Sequence, residues 1–186
     1  MIYTKKGDKG QTVKFDNTLL DKDDLLVEVL GSLDEVGAFL GVCKNKASDF
    51  KGKVLDNSLV DILDKVQNNL FLIQSNLAGK EIKELILGTK EIELIIDSLE
   101  AKLEPLNKFL KADGNELALL LNYERTLIRE AERKFVALCK KEALTNKKEI
   151  LVYLNRLSDL FFILFRFVNL SKGIRLLQKV FPANNS

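Results

Sequence analysis

The chain has 186 residues, 46% hydrophobic and 30% charged, with a formal net charge of +2, the composition of one globular domain with a proper core. It contains no histidine, which excludes His-ligated zinc, Ser-His-Asp and Cys-His nucleophilic systems, and Glu-x-x-His di-iron bundles. The near-neutral charge argues against a general affinity for nucleic acid, so any anion site must be local.

The first 24 residues are polar, basic and broken by glycine, as in Tyr3-Thr4-Lys5-Lys6-Gly7-Asp8-Lys9-Gly10-Gln11-Thr12. Gly7 and Gly10 permit positive φ and close backbone approach, so that successive N–H groups can point at an anion, and Lys5, Lys6 and Lys9 add charge. A disordered basic tail has the same composition, and no Walker-type Gly-Lys-Ser/Thr is present. Too short to fold alone, residues 1–24 are expected to lie against the helical body of the chain.

From residue 25 to about 175 the apolar residues repeat with helical period. One stripe runs Leu26, Leu30, Leu33, Val36, Leu40, Cys43, and a second runs from Leu59 to Leu77 and stops at Gly79. A shorter one, Ile92 to Leu103, ends at Pro105, where proline disfavours helix in the residue before it. Asp113, with Glu116 three residues on, is read as the cap of a fourth helix reaching Leu138. Asn146, with Glu149 after it, opens a fifth that ends near Gly173. Residues 176–186 form a C-terminal tail, and no strand run is convincing. The expected fold is all-α: a five-helix antiparallel bundle with an N-terminal basic loop, a single domain overall.

Leu160 to Val168 is apolar nearly all round its helix, which calls for burial on several sides by the bundle or by another subunit. Its most apolar run, Leu160 to Phe165, is too short to cross a bilayer. Cys43 and Cys139 lie in apolar helical patterns without a Cys-x-x-Cys partner, as buried thiols of a reducing compartment do. With no signal-type segment at the start, the expectation is a soluble cytoplasmic protein that binds neither membrane nor nucleic acid.

Arg125, Arg129 and Arg133 stand at i, i+4 and i+8 on the fourth helix. Eight residues rise about 12 Å, close to an extended triphosphate. Two readings compete: a solvated face salt-bridged by Glu124, Glu130 and Glu132, or a phosphate grip using the bidentate geometry of guanidinium. On the fifth helix Asn155 and Asp159 share a face, where the amide serves a ligand or a neighbouring helix. Asp34 is either a surface acid or the partner of a buried arginine.

In combination and in this order, these segments resemble the PduO-type ATP:cob(I)alamin adenosyltransferase family. The matching pieces are the Tyr3–Thr12 loop, Lys22-Asp23-Asp24, Gly31-Ser32-Leu33-Asp34-Glu35, the Arg125, Arg129, Ala131, Glu132, Arg133 pattern, and Leu154-Asn155-Arg156-Leu157-Ser158-Asp159. The resemblance implies a homotrimer with active sites between subunits. The implied reaction is attack of cobalt(I) on the 5′-carbon of ATP, giving adenosylcobalamin and triphosphate, with Mg2+ accompanying the nucleotide. Thr4, Lys5, Lys6, Gly7, Thr12, Lys22, Arg129, Glu132, Arg133 and Asn155 are implied to bind ATP, and Asp34 and Arg125 to form a salt bridge shaping the corrin side. Phe109 aligns with the aromatic residue that fills the lower axial face of cobalt. A reductase supplying cobalt(I) and an adenosylcobalamin-dependent acceptor enzyme are implied partners.

Glu130 stands where the family usually has a second arginine, and Lys111-Ala112-Asp113-Gly114 replaces its more typical Leu-Pro-Gly-Gly. A non-catalytic helical module binding nucleotide or corrinoid, as sensor or chaperone, is the alternative reading.

Overall fold

The computed structural model describes residues 3, 5, 7–80, 85–106, 109–142, 147–176 and 178–179. Its helices are α1 (Leu25–Ala47), α2 (Leu59–Leu77), α3 (Thr89–Glu100), α4 (Glu116–Glu142) and α5 (Lys148–Ser171). Local chemistry sets most of their ends. Asp24 caps α1 by accepting from the Leu26 N–H at 2.8 Å. Ser58 and Asp61 form a reciprocal capping box at the start of α2, which satisfies donors that the helix itself leaves free.

The start of α4 departs from the expectation. Asn115, not Asp113, accepts from the Leu117 N–H at 3.0 Å, while the Asp113 carboxylate turns back onto the Gly114 N–H. Asn146, the expected cap of α5, lies outside the described residues.

Contacts between helices give their directions. α1 runs antiparallel to α4, since Asp24 reaches Lys141 and Lys46 reaches Glu116. It is likewise antiparallel to α2, through Gln67 on the Gly37 carbonyl and Lys44 on Asp64. α4 and α5 are antiparallel, with Asn115 beside Asn169 and Glu132 beside Asn155. α3 completes the bundle alongside α5 in the same direction, through the Glu93–Arg156 pair and the Arg166 bond to the Glu104 carbonyl.

The core collects the expected stripes of all five helices. Phe161, Leu164 and Phe165 are covered by this chain's own helices, so the bundle accounts for much of the all-round apolar character of α5. Asn69 is a buried polar tie: its amide donates to the Leu87 carbonyl at 2.8 Å and the Tyr153 hydroxyl at 3.0 Å, and its oxygen accepts from the Ile86 N–H at 2.7 Å. One side chain thus joins α2, α5 and the link into α3.

Short antiparallel ribbons, without enough length to show alternation, decorate the bundle: β1 (Gln11–Val13) with β2 (Leu19–Asp21), β3 (Lys53–Val54) with β4 (Asn57–Ser58), and β5 (Phe109–Leu110) with β6 (Gln178–Lys179). The third ribbon pairs part of the expected C-terminal tail with the segment ahead of α4.

Candidate functional site

Residues 7–24 form a hydrogen-bonded loop and the β1–β2 ribbon that lead into α1. The Gly10 N–H donates to the Gly7 carbonyl, and the Lys22 N–H donates to the Gly10 carbonyl at 2.8 Å. Gly10 has φ +79°, which a side chain would strain. Gly7 makes a close approach instead: a Cβ there would sit 3.1 Å from the Lys22 Nζ, which itself donates to the Gly7 carbonyl at 3.0 Å. Lys22 therefore clasps the loop. Thr4 and Lys6 lie outside the described residues, while Lys5 is exposed and carries φ +58°.

Thr12 forms a wall common to two clefts. One, of about 380 Å³, is polar and also lined by Lys22, Glu28, Ser32, Glu35 and Lys134. The other, of about 520 Å³, runs under the β1–β2 ribbon past Val13, Leu30, Asp34 and Phe71. Asp34 is thereby exposed at the edge of an apolar hollow.

None of the acids beside the α4 arginines pairs with them: one is buried and two are engaged elsewhere. Glu124 is 0% exposed, with both carboxylate oxygens lacking a hydrogen-bond partner. Glu130 pairs with Lys134 at 3.3 Å, and Glu132 accepts from the Asn155 amide at 3.1 Å. Among the described residues, no ion pair neutralises Arg125, Arg129 or Arg133. The reading of a salt-bridged face is not what the structure has.

Arg125 is half-buried, donates from Nε to the Asn122 side chain at 3.0 Å and stands 6.0 Å from the Phe162 ring centre. Burial, and then the neighbouring Arg129 charge, lower its pKa from the usual guanidinium value. An anion would relieve that repulsion.

The expected Asp34–Arg125 salt bridge is not made within one chain: the described contacts of Arg125 are Asn122 and Phe162. Asp34 is on α1 beneath the ribbon, whereas Arg125 faces α5. The same division separates the nucleotide residues. Lys134 turns towards α1, reaching Ser32 at 2.8 Å and Glu28 at 3.2 Å, whereas Glu132 turns towards α5. Two residues along a helix is about 200° of rotation. The chain therefore presents Gly7, Thr12 and Lys22 on the α1 side of α4, and Glu132 and Asn155 on the opposite side, with Arg129 and Arg133 exposed.

Phe109 occupies β5 and is 76% exposed. Asp159 pairs with Arg156 at 2.8 Å and so has a structural partner of its own.

Sequence reasoning missed Lys134, Asn169 and the state of Glu124. Lys134 has its pKa raised by hydrogen bonding to Glu28 first and also by Glu130, and it keeps Glu130 turned to α1. The readable signal was Glu130 at i−4 from Lys134. Glu124 has its pKa pushed up to about 9 by burial, and its charge contributes, after burial, to a Cys43 thiol raised to about 12. Its sequence signal was a gap in the apolar line between Leu121 and Ile128. Asn169 gave none.

A family model described as cobalamin adenosyltransferase matches residues 2–168. A corrinoid adenosyltransferase of Bacillus subtilis is 38% identical over 177 residues, which span 93% of this chain and 89% of that protein. The corrinoid adenosyltransferase PduO of Salmonella typhimurium is 35% identical over 173 residues, covering 89% of this chain but 48% of the longer relative. In three dimensions the chain is similar to a variant PduO-type ATP:corrinoid adenosyltransferase from Lactobacillus reuteri complexed with cobalamin and ATP. The TM-score is 0.83 at 30% identity, with 96% of this chain and 99% of that one covered.

Proposed function

The chain belongs to the cobalamin adenosyltransferase family, and on that footing we propose that it transfers the 5′-deoxyadenosyl group of ATP to cob(I)alamin. The electron pair of cobalt(I) forms the Co–C5′ bond while the C5′–O bond breaks, and its electrons leave with triphosphate. Cobalt(I) is already a potent nucleophile, so no general base is required and a chain without histidine is adequate. The protein's tasks are to align C5′ with cobalt and to receive the charge that develops on the leaving oxygen.

The observation that carries this reading is the row Arg125, Arg129 and Arg133, whose neighbouring acids are buried or otherwise engaged. Arg129 and Arg133, free of carboxylates among the described residues, suit a polyphosphate, whose oxygens they can take in bidentate fashion, while Arg125 is left for an acid on the corrin side. Arg129, Glu132, Arg133 and Asn155 of one subunit bind ATP together with Thr4, Lys5, Lys6, Gly7, Thr12 and Lys22 of a neighbour. Asp34 and Arg125 pair across the same boundary on the corrin side. The two faces stand on opposite sides of α4, which supports a site shared between subunits, in a homotrimer.

Phe109, large and exposed, fills the lower face of cobalt, keeps a lower axial ligand away and so eases reduction of cobalt(II). Mg2+ accompanies the triphosphate as a counterion. Among the described residues no group of three or more acidic or thiol side chains could hold a metal ion, and Glu132 is the nearby carboxylate. That donor set fits an ion held mainly by phosphate oxygens and water, as Mg2+ commonly is. No helix among the described residues is long and apolar enough to cross a membrane. The reaction takes its place in the cytoplasm between a reductase that supplies cobalt(I) and an adenosylcobalamin-dependent enzyme.

The test is anaerobic incubation of the purified protein with ATP, Mg2+ and chemically reduced cobalamin. Adenosylcobalamin, detected by its light-sensitive spectrum, and triphosphate should appear in equal amounts. Tight binding of both substrates without turnover would instead make the chain a non-catalytic corrinoid-binding module.

A further inference from the structure

Asn169 is 0% exposed near the end of α5, and every polar group it has is used. Its side-chain oxygen accepts from the Asn115 N–H at 2.9 Å. Its amide donates to the Asp113 carbonyl at 3.2 Å and to the Phe165 carbonyl at 3.2 Å. Its backbone carbonyl accepts from the Ile174 N–H at 2.9 Å. One residue thus grips the loop entering α4 and the turn leaving α5.

Those two segments are the roots of the β5–β6 ribbon. Phe109–Leu110 lies just before Asp113, and Gln178–Lys179 lies just after Ile174, with Phe109 opposite Lys179. The fit at the root is tight. Gly114 has φ +110°, and a Cβ there would meet the Asn169 side-chain oxygen at 2.1 Å, well inside contact distance. Only glycine lets the loop lie down on this amide.

We infer that Asn169 is a positioning residue for the reaction, its side chain setting the place of Phe109 by holding the loop that leads from β5 into α4. This rests on the proposed axial role of Phe109. Among the described residues, the hydrogen bonds of the Asn169 side chain go to the α4 entry loop and α5, not to the N-terminal loop or the arginine row. Its influence therefore falls on the corrin side and not on ATP.

The experiment compares Asn169→Ala, Gly114→Ala and Phe109→Ala with the unaltered protein. Gly114→Ala disturbs the same contact from the loop side and leaves the α5 side chain in place, which keeps the test decisive should Asn169→Ala fail to fold. Two readouts are taken: the spectroscopic signature of four-coordinate cobalt(II) when cob(II)alamin binds with ATP, and steady-state rates from cobalt(II) and from pre-reduced cobalt(I).

All three variants should lose the four-coordinate signal and fall about tenfold or more in rate from cobalt(II), with the KM for ATP and the rate from cobalt(I) changing less than the rate from cobalt(II). A merely structural defect lowers every parameter together and overturns the inference. Loss of the signal in Phe109→Ala with its retention in Asn169→Ala or Gly114→Ala removes the role of Asn169 and leaves that of Phe109. Retention in Phe109→Ala overturns the axial reading itself.

Discussion

The Asn155 amide donates to the Glu132 carboxylate at 3.1 Å across the α4–α5 seam, and in doing so keeps that acid from its neighbours Arg129 and Arg133. Loss of the amide frees Glu132 to pair with either guanidinium and compete with phosphate. Asn155→Ala should therefore raise the KM for ATP about tenfold, the equivalent of one charge-assisted hydrogen bond. Glu132→Gln, which removes a carboxylate of the proposed ATP site itself, should not recover the loss. An ATP titration in which Asn155→Ala matches the parent would reject this role of the amide.

Arg129 is exposed on α4 with no carboxylate partner among the described residues. Arg129→Ala should lower kcat/KM for ATP by about 100-fold or more, as removal of one preorganised charge donor does elsewhere. Lysine at this position should recover only part, because a point charge cannot reproduce the planar fork. Far-ultraviolet circular dichroism should stay unchanged, so that the loss reads as chemistry and not as unfolding.

Glu124 predicts a pH dependence of stability. Its folded pKa is about 9, against 4.5 for the free side chain, so between those values the folded protein retains a proton that the unfolded chain gives up. Stability from this group is full below the lower value and declines as pH rises towards the upper, at roughly 1.4 kcal/mol per pH unit. Glu124→Gln should flatten that decline. Urea unfolding of both proteins at roughly pH 5.5 and pH 8 tests it; parallel behaviour of the two would mean that Glu124 is not held neutral.

Asn69 should be costly to replace. Asn69→Ala strips hydrogen bonds from the Ile86 N–H, the Leu87 carbonyl and the Tyr153 hydroxyl in a buried setting, which predicts a loss of about 2–4 kcal/mol. Tyr153→Phe leaves the Asn69 amide its Leu87 partner and should cost less, about 1 kcal/mol. Equal losses would show that packing, rather than the polar tie, sets the stability here.

The helices were legible because apolar side chains recur at the helical period wherever a helix lies on a core. Leu33, Leu40, Leu63 and Ile73 are each on the expected face and buried. The start of α4 was misplaced because Asp113 and Asn115 are equally good capping types. Contact with Asn169, fifty-four residues beyond Asn115, decides between them, and local sequence carries no trace of that. The ribbons escaped notice because strands of two or three residues have no alternation to read. For the arginines, sequence placed three charges and three nearby acids on one helix but could not say which way each acid turns. Burial of Glu124, Lys134 on Glu130, and Asn155 on Glu132 settle that only in three dimensions.

The opposed orientations of Glu132 and Lys134 have a consequence for genetics in the test tube. If catalysis draws its anion-gripping row from one polypeptide and its clasped glycine loop from another, then two inactive proteins can cure each other. Lys22→Ala and Arg129→Ala, each silent alone, should regain turnover when unfolded together and allowed to reassemble, because some boundaries in the mixed oligomers inherit an unblemished half from each parent.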